Sequence, residues 1–235
     1  MARTRGTGMA RDGERAERIV VIGLGRFGTS TARTLHGLGY EVTAIDIGEK
    51  QVADASGFVT LAAQGDGTDE DLLRSLHVEQ SDVGIVAQGE SLEASVLATL
   101  VLKRLGIPWV VAKAASDLHG ELLRRIGADQ VVFPERDAGT RLAHSLAVRQ
   151  INDYIPLTPT TGVAKLPALP HFVGHTLAAL YRDANLPLSV LLIRRGQSLI
   201  SAPADEERIQ VGDELILAGS DRAIDAFANG REQPA

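Results

Sequence analysis

From Arg18 onward, short apolar runs alternate with stretches whose apolar residues recur at helical spacing. The runs "RIVVIG" (18–23), "EVTAID" (41–46), "VTLAAQ" (59–64), "DVGIVA" (82–87), "WVVAKA" (109–114) and "QVVF" (130–133) have the length and near-continuous apolar character of strands covered on both faces. Between them, 27–39, 49–56, 69–78, 91–106 and 118–128 read as helices. In the first helix Ala32, Leu35 and Leu38 share a face and Gly39 is the stop. In the fourth, Lys103 and Arg104 stand at the C-terminal end, where the helix dipole favours cations. Six strands alternating with five helices predict an α/β fold built on a doubly wound, parallel, Rossmann-like sheet.

The stretch "PERDAGTRLAHSLAVRQI" (134–151) opens on Pro and acids and then runs helical, as a helix start does. After it the texture changes. Pro156, Pro159, Pro167 and Pro170 punctuate a region of short strands. A small helix is predicted at 175–186, a hairpin over 189–203 turning at Arg195-Gly196, a strand at 213–219 and a closing helix at 221–228. The organisation expected is a tail (1–17), a sheet domain with its following helix (18–151), and a smaller α+β domain (152–235).

Composition narrows the function. The 235 residues are 44% hydrophobic, enough to fold as a globular protein. A net charge of -6 argues against nucleic acid as the main partner, and neither terminus offers a basic reading helix. With no cysteine, disulfides, thiolate chemistry and sulfur-based zinc sites are excluded. No apolar run is long enough to span a bilayer, and "MARTRGTGMARDGERAE" lacks the apolar segment of a signal peptide. A cytoplasmic protein is expected, reaching any membrane through a partner.

The chemistry sits in "GLGRFG". Gly23, Gly25 and Gly28 directly follow a predicted strand and open a predicted helix. In that context the first glycine permits the tight turn, the second lets a phosphate approach the backbone, and the third lets helix and strand pack closely. Helix N-terminal amides then face the anion. Asp46, eighteen positions after Gly28, ends the second strand, where an acid accepts from both ribose hydroxyls and disfavours a 2′-phosphate. The competing structural reading is that the glycines only shape a turn and Asp46 caps the next helix. Arg26, inside the loop beside Phe27, is suited to bidentate phosphate contacts, either to a polyphosphate or to a phosphate held between subunits. Its plainer reading is a solvated surface arginine.

Catalytic partners are missing. No Tyr-x-x-x-Lys, His-Glu-x-x-His or nucleophile-elbow pattern occurs. His171 and His175 have helical metal spacing but straddle Phe172-Val173-Gly174 after two prolines, which reads as a loop. The expectation is a protein that is not an enzyme and uses its nucleotide as a signal.

The chain resembles the cytoplasmic regulatory subunits of Ktr/Trk potassium-uptake systems, built from RCK domains. The resemblance rests on "VIGLGRFG", "EVTAIDI", "GDGTDEDLL", "DVGIVAQGESLEAS", "VAKA", "ELLRRIGADQVVFPERDAG", "LLIRRG", "VGDELILAG" and "AIDAF". The match is closer to the Ktr type, with one N-domain (RCK-N) and one C-domain (RCK-C) per chain. It implies homodimers assembled into an octameric ring beneath a separate potassium-conducting membrane protein, with ATP, ADP or NAD(H) bound in the N-domain. By position, Gly23, Gly25 and Gly28 would cradle phosphates, Asp46 the ribose, and Ile47 would flank the adenine. Asp66 and Thr68 would lie near the base, Ala87 and Gln88 would line the pocket, and Lys113 would approach the phosphates. Arg26 would reach the terminal phosphate of a nucleotide in the neighbouring subunit. Glu135 corresponds to the family's acid at a dimer interface that binds a divalent cation. It reads equally as an acid in the first turn of a helix after Pro134. Cyclic di-AMP, bound by the C-domain of some relatives, does not carry over. Where they have "LxxRxxxG" this chain reads "LYRDANLPLSV", with Arg182 displaced by one position and Pro187 in place of glycine. The rival reading is an NAD-dependent oxidoreductase or redox sensor on the same fold.

Overall fold

The computed structural model describes residues 17–89, 91–147, 151–158, 160–184 and 188–229. The N-terminal tail and Pro187 lie outside the described residues, as does the side chain of Arg182. The chain forms two compact units that divide between Pro134 and Glu135.

The first unit is a six-stranded parallel sheet in the order β3-β2-β1-β4-β5-β6. Its strands are β1 (Arg18–Ile22), β2 (Glu41–Asp46), β3 (Leu61–Gln64), β4 (Val83–Val86), β5 (Trp109–Lys113) and β6 (Gln130–Val132). The helices between them are α1 (Arg26–Gly37), α2 (Glu49–Ala55), α3 (Glu70–Ser75), α4 (Leu92–Arg104) and α5 (Asp117–Ile126). This is the doubly wound fold that the alternating pattern predicts.

Strand β1 shows why the apolar runs are continuous. Val20 and Ile22 enter one buried cluster with Leu102, Ile107 and Leu123. Ile19 and Val21 enter another, on the opposite face, with Ala32, Val42 and Ala44. Side chains alternate across a strand, so a sheet covered on both faces needs apolar residues at every position.

Local chemistry sets the helix ends. The side chains of Asp69, Ser91 and Ser116 accept from first-turn amides of α3, α4 and α5. The expected helix over 69–78 is shorter. Helix α3 ends at Ser75, His77 adopts a left-handed φ of 57°, and a single 3-10 turn over Val78–Gln80 follows. The break drops Val78 into the core, 1% exposed, which a continued helix would not do.

The second unit is a five-stranded antiparallel sheet in the order β10-β9-β11-β8-β7. It comprises β7 (Asp153–Thr158), β8 (Thr161–Pro167), β9 (Leu188–Arg195), β10 (Ser198–Ser201) and β11 (Asp213–Ser220). With them are α6 (Pro134–Ala147), α7 (Leu177–Ala184) and α8 (Asp221–Asn229). The core holds Leu166, Ile193, Leu215 and Leu217 from the sheet, with Phe172 stacked on Phe227 at 4.7 Å between centroids. The predicted hairpin is β9–β10, turning at Gly196.

The division between the units falls at the start of α6. His144 on α6 stacks on Tyr154 of β7 at 4.3 Å, and its Nδ1 lies 3.3 Å from Asp221 of α8. The Tyr154 hydroxyl donates to Asp221 as well, and these contacts tie α6 to the smaller sheet.

Candidate nucleotide site

The strand order reverses between β1 and β4, so the loops leaving their C-terminal ends diverge and open a crevice. That is where open α/β sheets take their ligands. All five strand ends that carry expected site residues face this edge, because the sheet is parallel.

The glycine loop is built as its spacing predicts. Gly23 has φ +94°, and its amide donates to Ile45 O at 2.8 Å, clamping the turn to β2. A Cβ on Gly28 would lie 1.8 Å from the carbonyl oxygen of Gly23, so only glycine lets α1 start this close to β1. Gly25 precedes the first residue of α1 with no side-chain cap, and a Cβ there would meet nothing within 4 Å. The helix N-terminus is thus both open and short of acceptors, which is the form of an anion cradle. Thr29 donates its hydroxyl to Leu24 O at 2.8 Å and braces the loop. Phe27 is half-buried against the cluster that covers this face of the sheet.

Asp46 is bonded in two directions. Its Oδ2 accepts from Leu24 N at 2.6 Å, and its Oδ1 from Gly48 N at 2.8 Å at the start of α2. The carboxylate therefore braces the loop to the next helix, and each oxygen keeps a second lone pair for a ribose hydroxyl. Ile47 beside it is 68% exposed, as a residue that flanks a base would be. The loop after β3 comes next to Asp46 through the Gly65 amide, which donates to Asp46 O at 2.9 Å. In that loop Asp66 Oδ1 accepts from both the amide and the hydroxyl of Thr68, at 2.9 and 2.8 Å.

On the other side of the crevice, Ala87 is buried, and its amide donates to Ile22 O at 2.8 Å. Gln88 packs over the glycine turn, its Cγ 2.9 Å from where a Cβ on Gly23 would be. Its Oε1 is buried without a hydrogen-bond partner among the described residues. The stem of Lys113, at the end of β5, lies against Gly89. The open cradle, the exposed Ile47 and the orphaned acceptor fit a nucleotide.

Arg26 begins α1 on the exposed surface and forms no ion pair or hydrogen bond among the described residues. Glu135 is exposed in the first turn of α6, in the second unit. Among the described residues no group of three or more His, Asp or Glu could hold a metal ion. His171 lies in a turn and His175 just before α7, as the prolines imply.

Sequence reasoning missed a buried pair between α4 and α5. Ser95 Oγ and His119 Nε2 lie 2.7 Å apart, while His119 Nδ1 accepts from the Ala115 amide at 3.2 Å. An accepting Nδ1 requires the neutral ring, with its proton on Nε2 donated to Ser95. Burial lowers the His119 pKa in the same sense. Twenty-four positions separate the two residues, and no local spacing signals such a contact. Thr29 was legible in principle as a hydroxyl directly after the third glycine.

Fold and site together define a class: a switch-point nucleotide domain followed by a small antiparallel regulatory domain. Residues 19–134 match the TrkA-N domain and residues 163–229 the TrkA-C domain. The chain belongs to the TrkA-N/TrkA-C family of Ktr and Trk potassium-uptake proteins. It is 39% identical over 209 residues to the Ktr system potassium uptake protein C of Bacillus subtilis, covering 89% of this chain and 95% of that one. It is 35% identical over 213 residues to the Ktr system potassium uptake protein A of the same organism, covering 91% and 96%. Among solved structures, the GsuK RCK domain superposes with a TM-score of 0.60 at 21% identity, over 100% of this chain and 51% of that one. The GsuK channel bound to NAD gives 0.59 at 21%, over 96% and 41%. Those likenesses show the RCK fold. Among the described residues no helix is long and apolar enough to cross a membrane.

Proposed function

We propose that the protein is a cytoplasmic, nucleotide-sensing gating subunit, and no enzyme, that regulates potassium transport through a separate integral-membrane subunit. The observation that carries this reading is the open glycine cradle beside Asp46, on a chain that matches Ktr potassium uptake proteins over about nine-tenths of its length. The adenosine ribose sits on Asp46, the base near Ile47, Asp66 and Thr68, and the phosphates between Gly25 and Lys113, with Ala87 and Gln88 lining the pocket. ATP and ADP are the ligands that gate. NAD or NADH, which shares their adenosine diphosphate part, occupies the same cradle, and the NAD bound by the GsuK channel favours that second use.

Arg26 has no partner within its own chain among the described residues. In a homodimer, and in an octameric ring of dimers, it reaches the terminal phosphate bound by its neighbour. The assembly thereby distinguishes three phosphates from two. A ligand shifts a conformational equilibrium only by its difference in affinity for the two states, and a phosphate contact made in one ring shape supplies that difference. Two symmetry-related Glu135 carboxylates repel unless a divalent cation lies between them, which gives the dimer a second input.

The test is calorimetric titration of the full chain with ATP, ADP and NADH, with and without a divalent cation, beside Arg26→Ala. Loss of a charge-assisted phosphate contact of about 2 kcal/mol weakens ATP roughly thirtyfold. ADP changes little. Equal affinities of wild type and variant for ATP would remove Arg26 from the mechanism. Binding of NADH alone would move the protein to the redox-sensor reading.

A further inference from the structure

From the orphaned oxygen of Gln88 we infer that this residue selects for a dinucleotide, by accepting a hydrogen bond from the second ribose of NAD(H). The inference rests on the nucleotide reading of the cradle and adds to it a specificity-determining residue and a competition between two kinds of ligand.

Gln88 follows β4, on the far side of the glycine turn from Asp46. A dinucleotide bound at a switch point lies across the crevice, with its adenosine on the β2 side and its second nucleoside on the β4 side. Asp46 therefore faces the first ribose and Gln88 the second. Gln88 Oε1 is buried and accepts no hydrogen bond among the described residues. A buried acceptor left in that state is destabilising, so a ligand that completes it gains by the difference.

The chemical question is which ligand carries a donor at that place. The phosphates of ATP and ADP, ionised at neutral pH, offer only acceptors there. The second ribose of a dinucleotide offers two hydroxyls. The neighbouring cation, Lys113, lies against Gly89 and serves phosphate oxygens of either ligand class. The site is thus divided. Asp46, the glycine loop and Lys113 take the part that all adenine nucleotides share, and Gln88 reads what only the dinucleotide adds. NADH then competes with ATP at one cradle, so the redox state and the phosphorylation state of the cell act on the same gate.

The experiment is titration of full-length wild type and Gln88→Leu with NADH, ADP-ribose, ADP and ATP. ADP-ribose carries the second ribose without the nicotinamide. Leucine keeps the bulk of the side chain and removes the acceptor. Gln88→Leu is expected to weaken NADH and ADP-ribose about tenfold each, the worth of one hydrogen bond and its orphaned donor. ADP and ATP stay within about twofold on the same reckoning, which also certifies that the variant folds. If all four ligands weaken equally, or none does, Gln88 has no selective role and the inference falls while the nucleotide reading stands. If NADH weakens and ADP-ribose does not, the donor is the nicotinamide amide and the ribose assignment is wrong. If wild type binds none of the four, the nucleotide reading itself fails and this inference goes with it.

Discussion

The buried charges of the second unit and the polar groups at the crevice of the first are treated in opposite ways. In the second, charges sunk into the antiparallel sheet satisfy one another. Asp213, 1% exposed, takes two bonds of 2.9 Å from Arg195, which also reaches Glu207 at 3.0 Å and Arg208 O at 2.9 Å. Burial raises the Asp213 pKa, but the Arg195 guanidinium and the Gln210 amide outweigh it and hold the carboxyl below its usual range. Glu214 is shared by Lys165 and Arg194 in the same manner. In the first unit the C-terminal edge of the sheet is left incomplete among the described residues: amides at Gly25 with no side-chain cap, an orphaned oxygen on Gln88, an unpaired Arg26 side chain. A polar group closed within the chain specifies the fold, whereas one left open specifies a ligand.

The strongest way to break the comparison is inside the second unit. Removing one partner of a buried ion pair leaves the other uncompensated, so Asp213→Ala is expected to destabilise that unit by about 3 kcal/mol. Denaturant unfolding would register the loss, and ADP affinity in the first unit should be unchanged. An affinity that fell in step would mean the two units do not divide the labour as described.

Gly28→Ala tests the opposite side. Its Cβ would overlap the Gly23 oxygen, and the strain of overpacking, about 2 kcal/mol, should reduce ADP binding roughly thirtyfold by distorting the cradle. Nucleotide titration would reveal the loss. Unaltered binding would show that the close approach of α1 to β1 does not shape the phosphate site.

A smaller effect sharpens the contrast through pH. Burial holds the His119 pKa below its ordinary value of 6.5, so the unfolded chain binds the proton first as pH falls. Stability from this group is complete above about pH 6.5 and declines as pH drops through the folded value, by at most about 1.4 kcal/mol per pH unit. Asp213, with its pKa lowered from 3.8, yields its share only below that value. Urea unfolding between pH 7.5 and 5 should therefore weaken the first unit before the second, and His119→Asn should flatten the slope. Identical slopes in variant and wild type would exclude His119 as the source.

How much the sequence disclosed follows the same line. The parallel sheet was legible because both of its faces are covered, which leaves an unbroken apolar signature in strands such as β1 and β4. The glycine cradle was legible because its constraints are local, within six residues, and Asp46 because it ends a predicted strand. The break at His77 was not, since it is imposed by where Val78 must pack. The Ser95–His119 and Tyr154–Asp221 contacts join residues 24 and 67 positions apart, and only the folded chain brings them together. The attachment of α6 to the smaller sheet depends on the same Tyr154–Asp221–His144 group, so an amphipathic pattern could place the helix but not its neighbours.

The double anchorage of Asp46 has a consequence for how such a site can diverge. Its two oxygens fasten the glycine turn to the start of α2, so replacing it disturbs architecture as well as ribose recognition. Gln88 and Arg26, whose side-chain oxygen and guanidinium no described neighbour engages, are under no such restraint. Drift in ligand preference among descendants of this scaffold should accumulate at those two rim positions while position 46 stays an acid. Retuning the receptor for a different metabolite would be attempted there first.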